Sequence, residues 1–312
     1  MDGTVIVLGG LNFDLVIRGS RIPGKGESVF GKSFHTFPGG KGANQAVQLA
    51  RLGVQTCMLG RVGNDIYGDQ LVASLEENGV ITDALMRDPE LGTGKGWVFV
   101  DDDGDNYIIV LPEANMNWAK RDLEALGQLL KGAACLLCQL ETPVTIVEAC
   151  LRAAKDAGLL TVLNTAPATS LPADLFNHVD LLILNQTEAA FYVGRSVGGA
   201  DQARTAAEAL LARGCGAVVI TLGDQGAVAA DGSGACHCHA FSVRAVDVTA
   251  AGDSFCAALA YALLQGDELC GALQFACASG ALTVTREGAQ PSLPKLAEIR
   301  AFIESGRARH VR

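Results

Sequence analysis

Short aliphatic runs recur along this chain, and a stretch of helical periodicity separates each from the next. The runs lie at 4–9 (TVIVLG), 56–60, 134–138, 159–163, 180–184 and 217–222, and read as buried strands. Helical patterns occupy 42–53, 66–78, 143–157, 186–193 and 201–213 between them. Such alternation predicts an α/β fold: a mostly parallel sheet with helices on both faces. Helices near 252–265, 267–285 and 294–305 close the chain, with a break at Gly266 and Asp267. No long linker, internal repeat or low-complexity tract interrupts the 312 residues, so a single domain is expected.

Two segments break the alternation. Residues 15–36 and 92–111 are rich in β-formers, with Gly and Asp turns. Asp103-Gly104 is a hairpin signal between Trp97–Val100 and Tyr107–Val110. The two segments are expected to pair into a small second sheet, a lid over the strand ends where open α/β sheets bind ligands.

Composition narrows the function. Apolar residues make up 49% and charged residues 19%, which suits a compact globular enzyme. With 24 basic and 34 acidic residues the net charge is −10, which argues against general affinity for nucleic acid or an anionic membrane. The opening MDGTVIVLGG carries an acid where a secretory leader has basic residues, and no apolar stretch approaches the ~18 residues of a membrane span. A cytoplasmic protein is expected. Its ten cysteines then read as reduced thiols acting as small hydrophobes. Cys135 and Cys138, three apart on a strand, face opposite ways and share no site. In Cys236-His237-Cys238-His239 alternation puts both thiols on one face and both imidazoles on the other. A full four-ligand metal set is not evident, and a surface strand is the favoured reading.

Five loops carry chemistry. Asp247-Val248-Thr249-Ala250-Ala251-Gly252-Asp253-Ser254 runs into an apolar helix; small residues there let a ligand approach free N–H groups, and Asp253 lies in the first turn. A carboxylate at that place can take a proton from an attacking hydroxyl, although plain helix capping explains an Asp or Ser equally well. Pro38-Gly39-Gly40-Lys41-Gly42-Ala43-Asn44 precedes a helix but is no Walker A loop, since Gly follows the Lys. Asn12-Phe13-Asp14 follows the first strand and suits vicinal hydroxyls or a simple turn. Asn185-Gln186-Thr187-Glu188 offers an N-cap, or a carboxylate that helps to hold magnesium through water. Thr221-Leu222-Gly223-Asp224-Gln225-Gly226 wraps a nucleotide or simply turns. All five lie where strands hand over to the next element, which favours one site. No G-x-G-x-x-G follows the first strand, so a nicotinamide enzyme is set aside.

The phrases GGKGANQA, CQLETP, NQTEA, ITLGDQG, AAGDSF and VTREGAQPS occur in the order seen in the ribokinase family of carbohydrate and nucleoside kinases. The chain resembles that family from Val5 to about Pro294. The resemblance implies a ribokinase-like three-layer α/β/α fold with a β lid. It implies ATP-dependent phosphorylation of a primary hydroxyl, O5 in the case of D-ribose, with Asp253 as general base. Ala250, Ala251 and Gly252 would form the anion hole. Asn12, Asp14, Gly39, Gly40, Lys41, Asn44 and Glu141 would hold the sugar. Asn185, Thr221, Gly223, Asp224, Gly226, Gly252 and Cys277 would bind ATP, with Glu188 in the Mg2+ region. A potassium ion would lie against Asp247, Thr249, Thr283, Arg286, Gly288 and Ser292, mostly on backbone carbonyls. A homodimer through the lids is implied as well.

Some positions depart from the family pattern. Val248 stands where Thr is usual, Cys256 where Asn is frequent, and Cys277 in a stretch that is often polar. Lys95, Trp97 and Glu113 are unusual in the lid. None removes a catalytic group; they bear on sugar preference and cation dependence. A sibling kinase for deoxyribose, another sugar or a nucleoside is the alternative, and a non-catalytic sugar-binding regulator the remote one.

Overall fold

The computed structural model describes residues 3–103 and 105–305. In chain order the strands are β1 (Thr4–Leu8), β2 (Asn12–Gly19), β3 (Gly31–Gly39), β4 (Thr56–Gly63), β5 (Leu85–Asp88), β6 (Gly94–Val100), β7 (Asn106–Leu111), β8 (Ala133–Cys138), β9 (Leu160–Asn164), β10 (Leu181–Asn185), β11 (Ala217–Thr221), β12 (Ala227–Asp231) and β13 (Gly234–Cys238). The helices are α1 (Lys41–Arg51), α2 (Ile66–Glu77), α3 (Leu126–Leu129), α4 (Val144–Asp156), α5 (Gln186–Val193), α6 (Ala200–Leu211), α7 (Ala251–Leu264), α8 (Leu269–Thr283) and α9 (Leu296–Glu304).

Nine strands form the main sheet in the order β13-β12-β11-β10-β9-β8-β1-β4-β5. The stretch from β11 to β5 is parallel, most crossovers carrying an α-helix and the β9–β10 connection only a 3-10 turn; β12 and β13 add antiparallel. The six expected strands all lie in this sheet. The edge strand β5 and the pairing of β12 with β13 were not anticipated. Strand alternation divides the core in two. Val5, Val7, Cys135 and Leu137 face the layer of α1, α7 and α8, whereas Ile6, Leu8, Leu136 and Cys138 face the layer of α4 and α6. Cys135 and Cys138 thus enter different cores, as their spacing requires.

The second sheet has four strands in the order β3-β2-β6-β7. Trp97 pairs with Ile109 and Phe99 with Tyr107 in the expected hairpin; Gly104 of its turn lies outside the described residues. Asn12-Phe13-Asp14 begins β2 rather than forming a loop, since β2 follows β1 after three residues. No helix among the described residues is long and apolar enough to cross a membrane.

Candidate active site

Two helix starts meet at the site. At Ala250 the backbone turns left-handed (φ 59°), which a non-glycine residue rarely accepts, and α7 begins at the next residue. Its first-turn N–H groups have no intrahelical acceptor and carry the positive end of the helix dipole. A Cβ on Gly252 would meet nothing within 4 Å, so the space before these amides is open. Asp253 in this turn is buried, only 7% exposed. Its Oδ2 accepts from Asn44 Nδ2 at 2.9 Å and its Oδ1 from Gln45 Nε2 at 3.1 Å. Both donors stand on α1, which packs against α7. The start of α1 is set by Gly40, whose φ is 91° and whose Cβ would come 2.5 Å from the Asn12 nitrogen.

A polar cluster surrounds this carboxylate. Glu141 Oε2 accepts from the Lys41 backbone N–H at 2.8 Å, and Glu141 Oε1 from Asn12 Nδ2 at 3.3 Å. Asn115, which the sequence reading had not singled out, donates to Asn12 Oδ1 at 2.9 Å and fixes the turn at Leu11. Asp14 lies between two glycines: a Cβ on Gly39 or Gly96 would come within 2.6 or 2.4 Å of its carboxylate oxygens. Burial, then the charges of Glu141 and Asp253, raise the Asp14 pKa to about 7 against the pull of Lys41. Burial also raises Glu141, with Lys41 opposing. For Lys41, burial favours the neutral amine, but the carboxylates of Asp253, Glu141 and Glu188 outweigh it and lift the pKa above its ordinary value. Asn44 Oδ1 is buried with no partner among the described residues, a place suited to a donor hydroxyl.

A cleft of ≈ 530 Å³ adjoins the start of α7. The expected nucleotide residues Thr221, Gly223, Asp224, Gly226, Gly252 and Cys277 all line it. Gly226 has φ 96°, and a Cβ there would lie 1.9 Å from the Cys238 carbonyl oxygen, so only glycine fits. Asn185 does not line the cleft; it caps α5 and stands beside Thr221 in the β10–β11 register. Its amide and backbone N–H donate to the two oxygens of Glu188, and the Glu188 N–H donates back, so the capping reading of this motif holds. Burial raises the Glu188 pKa, and Lys41 and Asp253 lie within its field.

The expected cation loop is drawn together by Asp247. Its Oδ1 accepts from the N–H and hydroxyl of Thr249, at 2.9 and 2.6 Å, and its Oδ2 from the Gly288 N–H at 2.9 Å. Burial opposes ionisation of Asp247, but these bonds outweigh it and depress its pKa. The side chains of Thr283, Arg286 and Ser292 are engaged elsewhere, on the Ser279 carbonyl, Glu298 and the Ala289 carbonyl. What this loop can offer a cation is therefore oxygen from its carboxylate and backbone carbonyls, hard donors that suit an alkali ion. Among the described residues no group of three His, Cys, Asp or Glu side chains could hold a metal. Magnesium keeps much of its water and binds through phosphates and one or two carboxylates, and Glu188 is a buried carboxylate in the field of Lys41 and Asp253.

The sequence predicts ten reduced thiols, yet Cys236 and Cys270 form a disulfide with Cα atoms 6.2 Å apart. Alternation on β13 turns Cys236 and Cys238 together onto α8, and Cys270 lies in the first turn of that helix. A separation of 34 residues hid the pairing in the sequence. The other eight cysteines are free and buried. His237 and His239 adjoin on the opposite face, with ring centroids 4.4 Å apart and planes tilted by 56°, and His237 Nε2 lies 2.9 Å from the Gln225 carbonyl oxygen.

The buried polar residues around Asp253 were missed too: Gln45, Gln139 and Asn164. Gln45 sat unremarked within GGKGANQA and Gln139 within CQLETP. A glutamine closing an apolar strand run was the available signal.

An open α/β sheet with a helix N-terminus facing a nucleotide-sized cleft, a buried carboxylate and a hydroxyl-binding cluster describes a phosphoryl-transferring enzyme. The chain belongs to the pfkB family of carbohydrate kinases, matched over residues 2–296. It is 37% identical over 306 residues to the ribokinase of Schizosaccharomyces pombe, covering 95% of this chain and 96% of that one. It is 30% identical to the deoxyribokinase of Salmonella typhi, over 96% and 98% of the two chains. The structure of Arabidopsis thaliana ribokinase complexed with ribose and ATP superposes with a TM-score of 0.91 at 30% identity, covering 97% of this chain and 99% of that one.

Proposed function

We propose that the protein transfers the γ-phosphoryl group of ATP to O5 of D-ribose, giving D-ribose 5-phosphate and ADP. The observation that carries this reading is Asp253, clamped by two amides in the first turn of α7, between the cleft and the polar cluster. Asn12, Asp14, Gly39, Gly40, Lys41, Asn44 and Glu141 bind the sugar. Asp253 takes the O5 proton as the new O–P bond forms and the bond to ADP breaks. The amides of Ala250, Ala251 and Gly252 receive the negative charge of the transferring group. Phosphoryl transfer depends chiefly on such alignment and charge neutralisation. Thr221, Gly223, Asp224, Gly226, Gly252 and Cys277 hold the nucleotide, with Asn185 at its edge.

Magnesium bound with ATP would supply charge neutralisation, and Glu188 would help to hold it through water. Asp247, Thr249, Thr283, Arg286, Gly288 and Ser292 would hold a potassium ion, mostly through backbone carbonyls, and its charge would support the anion hole. The small sheet closes as a lid and excludes water, the competing acceptor. Its outer strand β7 exposes Ile108, Ile109 and Val110, which fits a homodimer through the lids. The use of ATP suits the cytoplasm, where the Cys236–Cys270 disulfide would be open to reduction.

The similarity to a deoxyribokinase supports 2-deoxy-D-ribose as the second reading. ADP release with ATP, magnesium and potassium, run on both sugars beside Asp253→Asn, separates the two. Ribose turnover that falls by about 10²–10⁴-fold in the variant is expected. A tenfold preference for deoxyribose would overturn the ribose reading, and full activity of the variant would overturn Asp253 as the base.

A further inference from the structure

Asn44 and Gln45 are consecutive on α1, yet both reach Asp253, one for each carboxylate oxygen. Asn44 belongs to the sugar cluster. Gln45 does not: it is fully buried and looks away from the sugar, into a second set of amides. Its Oε1 accepts from Gln139 Nε2 at 2.6 Å, and its Nε2 also points at Asn164 Oδ1, 3.3 Å away. Asn164 is anchored in turn through Nδ2 to the Ile183 carbonyl at 3.2 Å.

We infer that Gln45, oriented by Gln139 and Asn164, is a positioning residue that fixes the plane of the Asp253 carboxylate. The inference rests on the reading of Asp253 as the base. A glutamine side chain can present either its oxygen or its nitrogen, and a carboxylate accepts only from the nitrogen. The Gln139 donor claims the oxygen end of Gln45 and so settles which end Asp253 meets. Gln139 follows β8 and Asn164 ends β9, so the orientation derives from neighbouring strands of the rigid main sheet. With one donor on each oxygen, the carboxylate cannot turn without losing both bonds.

Two further observations suit a functional role. Gln139 Oε1 is buried with no partner among the described residues, and an orphaned carbonyl is unfavourable for stability. Gly9 makes room for this glutamine, since a Cβ there would lie 1.8 Å from Gln139 Oε1. An apolar residue would remove that orphan but leave the buried Gln45 Oε1 without its donor, so the glutamine at 139 is tied to the orientation of Gln45. The other ionisable groups facing Asp253 are Lys41 from α1, Asp14 from β2, Glu141 after β8, Glu188 from α5 and Cys256 on α7. Among the described residues only Asn44 and Gln45 hydrogen-bond to its side-chain oxygens.

The test compares Gln45→Met, Gln139→Met and the double variant with wild type and Asp253→Asn, using ATP and D-ribose, with folding checked by circular dichroism. Misplaced reacting groups cost on the order of 10²-fold, so Gln45→Met should lower kcat by about that factor and leave KM for D-ribose little changed. Gln139→Met should lower kcat in the same direction while its melting temperature changes little, since one unmet buried acceptor replaces another. The double variant should lose no more than Gln45→Met alone, because both act through one chain of bonds. Unchanged kcat in folded Gln45→Met, or additive losses in the double variant, would overturn the inference while leaving the base assignment intact. If Gln45→Met does not fold, the kcat and KM comparison on Gln139→Met decides the matter. An inactive wild type, or an active Asp253→Asn, would overturn the underlying reading and this inference with it.

Discussion

At the scale of single residues, Asp14 shows stability and function opposed. It is pressed between Gly39 and Gly96 near two other carboxylates, and its pKa is raised to about 7 from 3.8. A raised carboxylate pKa favours the fold fully below the unfolded value of 3.8; that contribution declines above it and is gone once the pH passes about 7. The charged form, which accepts hydroxyl protons best, gains population over the same interval. KM for the sugar should therefore fall as pH rises through about 7. Asp14→Asn should flatten that dependence, raise KM at every pH, and melt higher than wild type above pH about 7. Steady-state kinetics and thermal melts at matched pH measure both. A KM for wild type that is flat across this range would count against the assigned role.

At the scale of elements, α8 joins the sheet edge to the site. Cys270 in its first turn is bonded to Cys236 on β13, and Cys277 two turns later lines the nucleotide cleft. Closing a loop of this size stabilises a protein by about 2–4 kcal/mol. Cys270→Ser, or reduction of the wild type, should lower the melting temperature by that equivalent, and reductant should leave the variant unmoved. Thermal melts with and without reductant read the difference directly.

For the molecule as a whole, the small sheet is the element that the main core does not explain. Its outer strand exposes Ile108 at 61% and Ile109 at 56%, apolar surface that a second copy would bury. The 32.4 kDa chain should sediment as a dimer, and Ile108→Asp should shift it toward monomer. Sedimentation over a range of concentrations tests this, and a monomeric wild type would refute the lid interface.

Some of this was already determined by local sequence. Aliphatic runs such as Val5–Leu8 and Val218–Ile220, short and rich in β-branched residues, read as buried strands, and the helical patterns between them favour a parallel sheet. The glycines at 40, 223 and 226 and the start of α7 marked the site, because backbone constraints act within a few residues. Partnerships across the fold were a different matter. That Gln45 meets Gln139 and Asp253, that Asn115 braces Asn12, and that Cys236 reaches Cys270 follow from packing between elements 34 to 208 residues apart. Periodicity tells a side chain which face it occupies, but only the closed sheet and the two helix starts decide what lies opposite.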